Sequence, residues 1–371
     1  VAEHVMVFVD GPNADNQACA WGALNGFNTE ELKLAGVVVS PTAVNYAENA
    51  PDASRNIENS RTVHQLHTAR MAGLFHRAGV DVPVFSGLDI EDTAITSPIP
   101  HQAHVRHEDY DIYGDAHGEG RAAIAGDFNA ALRYMDNLPG KIHTVVGGPF
   151  SEIPELQKRP RVSRKLGYLA AQAGFSLSER AIYSKLAFNV DVDMMAALDT
   201  YINYPSDMYA VPSDITRHPS VTFKSAEELT RLGVHSEIGE IFIRHRARAE
   251  ERHKKEQLRR QAEGRELRPY PALSIHDLQA VLALRQVLGF EKGLYEFAPL
   301  DADESITNLK EAARLRIPDS YSPPITDQTI RSLGYRGLGM AADGPLPGRY
   351  VVANQNSAMY KKRAQQLLAP L

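Results

Sequence analysis

The sequence predicts an α/β fold: one domain over residues 1–371, with a mostly parallel central sheet flanked by helices. Three observations predict it. Short β-branched runs alternate with helical patterns along the chain. Several of those runs end in a polar turn. The composition, 43% hydrophobic and 23% charged, is that of a globular protein long enough to bury a sizeable core. In such sheets ligands sit at the carboxyl ends of the strands, so the turns after the runs are the places to search.

Taken in order, residues 4–9 (HVMVFV) are an apolar run too short for a helix and read as the first strand. Residues 21–34 read as helical or mixed. Residues 36–39 (GVVV) read as a second, fully buried strand. Residues 57–78 form a long helical pattern, with Val63, Leu66, Ala69 and Leu74 near helical spacing. Residues 82–86 are strand-like and punctuated by Gly87. Residues 122–137 read as a helix, 142–146 as a strand and 208–211 as another short strand. The order β-α-β-α implies a parallel sheet covered on both faces.

Net charge is −6 and the isoelectric point is near 6.2, which argues against a dedicated nucleic-acid surface. Cys19 is the only cysteine, which rules out an intrachain disulfide and fits a reducing, cytoplasmic setting. No apolar run reaches membrane-spanning length. The chain opens on a strand pattern rather than on a signal peptide.

Two segments break the rhythm. Residues 88–120 form a long polar loop holding His101, His104 and His107. That spacing does not put three imidazoles on one helix face, and no cysteine joins them. They read as solvated loop histidines rather than as a metal cluster. Residues 244–268 carry ten Lys/Arg against five Asp/Glu, about +5 inside an acidic chain. They read either as a solvated helix laced with pairs such as Glu251–Lys255 or as a mobile basic lid over an anionic ligand. Both this basic segment, spanning 240–270, and the 88–120 loop are expected over the site.

Polar signatures recur along the chain. Residues 10–16 read DGPNADN, 115–120 DAHGEG, 147–153 GGPFSEI, 187–193 AFNVDVD, 213–218 SDITRH and 274–281 SIHDLQAV. Any one is weak; six in this order are specific. Together they resemble the nucleoside hydrolases, the calcium-dependent N-ribohydrolases that include the inosine-uridine preferring enzymes, over residues 5–297. The resemblance implies an open Rossmann-like sheet. HGEG looks like that family's His-Gly-Glu segment and places His117 near the site. GGPFSEI looks like its Gly-Pro-Leu-Thr-Asn turn, where Gly147 would give calcium a backbone carbonyl that any side chain permits. AFNVDVD looks like its Glu-Phe-Asn segment. Asn189 would then grip the sugar, while Ala187 stands where a glutamate would be. IHDLQAV looks like its His-Asp-Pro segment, making His276 the acid for the leaving base and Asp277 a calcium ligand.

The opening motif departs from the family's Asp-x-Asp-Pro-Gly-x-Asp-Asp. Asp10 matches the first Asp and Asp15 the third if one residue is deleted between them. Pro12 or Asn13 then falls where the water-activating carboxylate belongs, and Asn16 replaces the last Asp. Anchoring on Pro12 puts Gly11 there instead. The resemblance thus implies Asp10 and His276 as catalytic groups. It implies Asp15, Asn13, His117 and Asn189 around the substrate, and Asp10, Asn16, Gly147 and Asp277 around calcium. Calcium prefers six to eight oxygens including several carboxylates, so this set would bind it more weakly. Three functions follow: an N-ribosyl hydrolase acting on a nucleoside or ribosylated small molecule, a weakened relative that binds such a ligand or serves as a scaffold subunit, and a hydrolase for a phosphorylated nucleoside. The resemblance also implies a homodimer or homotetramer.

Overall fold

The computed structural model describes residues 2–11, 14–41, 53–93, 117–173, 189, 192–223, 225–231, 233, 236–267, 274–301 and 345–371. Among them nine strands form one sheet. They are β1 (Glu3–Val9), β2 (Leu32–Val39), β3 (Val84–Ser86), β4 (Ile124–Gly126), β5 (Ile142–Val146), β6 (Leu166–Gln172), β7 (Met208–Val211), β8 (Tyr295–Asp301) and β9 (Pro345–Gln355). Their order across the sheet is β4-β3-β2-β1-β5-β6-β7-β9-β8, parallel except for β8 against β9. The expected α/β class with a mostly parallel sheet is what the chain adopts.

The central strand explains why an apolar run with no alternation becomes a strand. Val5 through Val9 are wholly buried. Val5, Val7 and Val9 face a core shared with Trp21, Phe75 and Leu278. Met6 and Phe8 face a second core with Phe128, Met135 and Phe150. A strand covered on both faces carries hydrophobic residues at every position.

The first core is roofed by α1 (Ala14–Gly26), α2 (Ala53–Arg77), α11 (Leu278–Val287) and α12 (Ser357–Leu367). The second lies under α4 (Phe128–Asn137), α5 (Ile153–Gln157) and α7 (Met194–Asn203). α12 is held to α1 by Trp21 Nε1, which donates to the Ala369 carbonyl at 3.0 Å, and by Asn25 Nδ2, which donates to the Leu367 carbonyl at 2.8 Å. Among the described residues no helix is long and apolar enough to cross a membrane.

Several expectations shift. The helix expected somewhere within 21–34 begins already at Ala14, and the second strand starts at Leu32 rather than at residue 36. α1 is buried on nearly every side, so no apolar stripe marks its first turns. The helix expected over 122–137 is three elements: α3 (His117–Ala122), β4 and α4. Gly126 takes φ 151°, which favours glycine, and Asp127 then caps α4 by accepting from the Ala130 N–H at 2.8 Å. β6 (LGYLAAQ), to which the sequence pattern assigned no element, is held by pairing to β5 and β7.

The basic segment lies mostly in the long helix α10 (Ser236–Ala262). Ile238, Ile241 and Phe242 bury its first turns. Its charges are laced along the helix, with Lys255 to Glu251 at 2.9 Å and Arg246 to Glu250 at 3.3 Å. The helix reading of this segment therefore holds. Between α7 and α10 lie α8 (Ser213–Thr216) and α9 (Ala226–Arg231), and α6 (Pro160–Ser163) precedes β6. His101, His104 and His107 lie outside the described residues.

Candidate functional site

The sheet order reverses between β1 and β5. From β1 the chain builds outward through β2, β3 and β4; from β5 it builds the other way. Such a switch point leaves a crevice beyond the strand ends. Asp10 is the first residue after β1 and Gly147 the first after β5. The Gly147 N–H donates to the Phe8 carbonyl at 2.7 Å, which locks the two turns together.

Both glycines of this turn are required by close approach. A Cβ on Gly147 would lie 2.8 Å from the Asp277 Cβ, and one on Gly148 would lie 2.8 Å from the Asp10 nitrogen. The side chain at 147 is therefore not free to vary, contrary to the expectation that any would serve. The space it would fill is taken by Asp277.

Three carboxylates meet here, Asp10 and Asp277 buried and Asp15 partly buried. Asp10 Oδ1 accepts from Asn16 Nδ2 at 2.8 Å. Asp15, in the first turn of α1, reaches across to the start of α11. Its Oδ2 accepts from the His276 N–H and its Oδ1 from the Asp277 N–H, both at 3.1 Å. Burial, eased in part by Asn16, lifts the Asp10 carboxyl to about 6. Burial, against those two N–H groups and with repulsion from Asp10, lifts Asp15 to about 7. Burial and repulsion from Asp15 and Asp10 push Asp277 well up as well. Like charges at close range cannot all ionise without protons or a cation among them. Behind them Cys19 is buried, its thiol pushed up by burial and by Asp277 and Asp15.

The other wall carries the amide and the imidazole. Asn189 Nδ2 lies 3.1 Å from the Gly147 carbonyl and 3.0 Å from both the Gln172 carbonyl and Gln172 Oε1, toward which it donates. Its amide protons are thus spent bracing the ends of β5 and β6, which leaves Oδ1 as the group for a ligand. His276 Nδ1 sits 2.6 Å from Thr216 Oγ1. Burial, then the Arg217 charge, lowers the imidazole to about 3, so it is neutral near pH 7. The Thr216 hydroxyl has one proton, contested by Nδ1 and by the Ser213 carbonyl at 3.2 Å. Given to the nearer Nδ1, it makes Nε2 the N–H donor.

Hydrogen bonds and close contacts link Asp10 to Asn16, Asp15 to His276 and Asp277, and Gly147 to Asp277 and Asn189. Asn13 and Ala187 lie outside the described residues. His117 opens α3, a helix whose backbone rests on α2 at Gly120 against the Ala69 carbonyl; its side chain lies outside the described residues. Three contributors escaped the sequence reading. Thr216 and Arg217 lay inside SDITRH, a motif noted without roles. Gln172 ends a strand that was not expected.

Asp10, Asp277, the Gly147 carbonyl and the Asn16 amide offer oxygens of the kind calcium takes. Among the described residues, however, no three Asp, Glu, His or Cys side chains form a group that could hold a metal ion.

No protein-family model matches the chain, and no curated protein is similar to it in sequence. Solved structures are similar. The type III effector protein XopQ, complexed with adenosine diphosphate ribose, superposes with a TM-score of 0.58 at 14% identity, over 100% of this chain and 93% of that one. The inosine-uridine preferring nucleoside hydrolase of Bacillus anthracis gives 0.57 at 12% identity over 100% of both chains. The purine-preferring ribonucleoside hydrolase of Gardnerella vaginalis gives 0.56 at 13% identity over 98% of both. At these identities the likeness is one of architecture: the chain has the α/β fold of the nucleoside hydrolases.

Proposed function

We propose that this chain binds the ribosyl group of a nucleoside or related ribosylated small molecule and hydrolyses its N-glycosidic bond. The observation that carries the reading is the meeting of Asp10, Asp15 and Asp277 at the switch point, beside an imidazole held by Thr216. The fold shared with hydrolases of nucleosides supports it.

The roles follow from the chemistry of each group. Asp10, lifted to about 6, is ionised above that pH and is a stronger base than an ordinary carboxylate. It takes the proton of a water whose oxygen bonds to the anomeric carbon as the carbon–nitrogen bond breaks. The base leaves as its anion, accepting a hydrogen bond from the Nε2–H of the neutral His276, and then takes its proton from solvent. Asp15 and Asn189 Oδ1 accept sugar hydroxyls, which fixes the ring. Asp10, Asn16, Asp277 and the Gly147 carbonyl would hold calcium. When bound, the ion supplies positive charge that favours the ionised carboxylates and acidifies nearby water. The test is release of free base from a panel of purine and pyrimidine nucleosides, with and without calcium. Turnover lost in Asp10→Asn supports the reading; turnover at the wild-type rate in that variant overturns it.

A second reading is a ligand-binding relative without turnover. Asn16 stands on Asp10, and Asn189 spends its amide protons within the chain. A neighbour in fold was crystallised with adenosine diphosphate ribose. Calorimetry with adenosine diphosphate ribose and with adenosine separates the two. Tight binding with no product is the signature of the binder.

A further inference from the structure

Outside the Asp10 crevice, with which it shares no lining residue, α4 and α6 enclose a groove of about 490 Å³. Its floor is apolar, from Leu132 and Val162, and its rim carries Arg133, Arg159, Arg161 and Arg164. The sequence behind it, residues 158–165, reads KRPRVSRK, with five cations and no acid. The groove runs along most of α4, from Asn129 near its start to Asp136 near its end. Lys165, just before β6, closes the far end of this helix: its Nζ donates to the carbonyls of Asp136 at 2.5 Å and Leu138 at 2.9 Å.

These charges differ from those of α10. There the basic side chains have carboxylate partners a turn away, as a solvated helix arranges them. Around the groove, Lys158 is taken by Glu155 at 2.5 Å and Arg161 stands 3.5 Å from Asp136, the one acid of the lining. Arg133, Arg159 and Arg164 pair with no carboxylate among the described residues. Arg164 is oriented instead by its Nε, which donates to the Pro160 carbonyl at 3.1 Å. A concave surface with three uncompensated guanidiniums, in a chain of net charge −6, concentrates positive potential where the rest of the molecule repels anions.

We propose that this groove is a binding site for the diphosphate or polyphosphate group of a small molecule. Guanidinium forks match phosphate oxygens two at a time. A cavity of this volume has room for a compact polyanion, and its charge density suits phosphates better than an acidic peptide, whose carboxylates are spread along an extended chain. The site is independent of the ribosyl reading, because it shares no residue with the Asp10 crevice.

The probe is pyrophosphate, titrated calorimetrically at low and at physiological salt. Binding that weakens as salt rises is expected, with affinity falling about tenfold for each guanidinium removed in Arg159→Ala and Arg164→Ala. The exposed positions of these residues make loss of the fold an unsuitable explanation, and unchanged thermal melting checks it. Arg159→Lys combined with Arg164→Lys should bind measurably less well than wild type, because a lysine lacks the fork. Absence of binding up to millimolar pyrophosphate overturns the proposal. So does equal binding by the double alanine variant, or a tri-glutamate peptide binding as tightly as pyrophosphate.

Discussion

At the residue scale, Asp10 carries the largest consequence. Substitution Asp10→Asn keeps the shape and the contact to residue 16 while removing the carboxylate proposed as the base. General-base help is worth about 10²–10⁴ in rate, so turnover should fall by that factor while thermal stability holds or rises. A continuous nucleoside assay beside a melting curve reads both. Gly147→Ala should behave in the opposite way. Its methyl would meet Asp277 at 2.8 Å, an overpacking that costs about 1–3 kcal/mol and displaces the carboxylate. Urea unfolding measures the loss. His276, Asn189 and Asp277 were singled out by the resemblance of their motifs to the nucleoside hydrolases, and Asp10 also because it follows a strand. Thr216 was not, since a threonine in a short turn carries no sign of the imidazole that folding brings to it.

At the element scale, Asp15 joins two helices far apart in sequence. α11 starts at Asp277 without a side-chain cap of its own, and Asp15 on α1 accepts the N–H groups of His276 and Asp277 instead. Asp15→Ala removes two hydrogen bonds to a charged group, each worth about 1.5–3 kcal/mol when the acceptor is ionised. The expected result is a lower midpoint in urea together with loss of ribosyl-ligand binding in calorimetry. Glu152 acts similarly at the neighbouring strand ends. It is fully buried and its carboxyl accepts from Ser40 Oγ at 2.6 Å and from the Leu88 N–H at 3.0 Å, tying the ends of β2 and β3 to the turn after β5. Burial lifts it to about 7.

At the scale of the whole molecule, these buried acids set how stability follows pH. Asp10, Asp15 and Glu152 hold their protons in the folded chain up to about 6, 7 and 7, whereas exposed carboxylates lose theirs near 4. Between those limits the folded state binds more protons than the unfolded one, so stability from these groups is full below about pH 4 and falls as pH rises toward 7. Asp10 alone accounts for up to about 3 kcal/mol of that decline. Melting temperature in the presence of a chelator should therefore drop between pH 5 and pH 8. Added calcium should restore it at pH 8 and do little at pH 5, where protons already occupy the carboxylates. A melting temperature that rises steadily with pH would show that the cluster is not protonated. We also propose, from the resemblance, a homodimer or homotetramer, which light scattering at micromolar concentration tests.

The sequence by itself determined the class of the fold and the edge of the sheet that bears the polar turns. Apolar runs such as residues 4–9 and 142–146 are too short for helices and bury their backbone as strands, and polar turns follow where those strands leave the core. It also placed the basic helix, whose charges find partners one turn away and so depend on local spacing alone. Tertiary structure decided what had no local signal. The short edge strand β4 and the Gly- and Ala-rich β6 exist because neighbouring strands offer them hydrogen bonds. The beginning of α1 is hidden because a helix buried on nearly every side has no stripe to read. The requirement for glycine at 147, the bond from Thr216 to His276 and the raised carboxyls arise only when residues far apart in sequence exclude water from one another. Low dielectric and close packing belong to the folded assembly and to none of its segments.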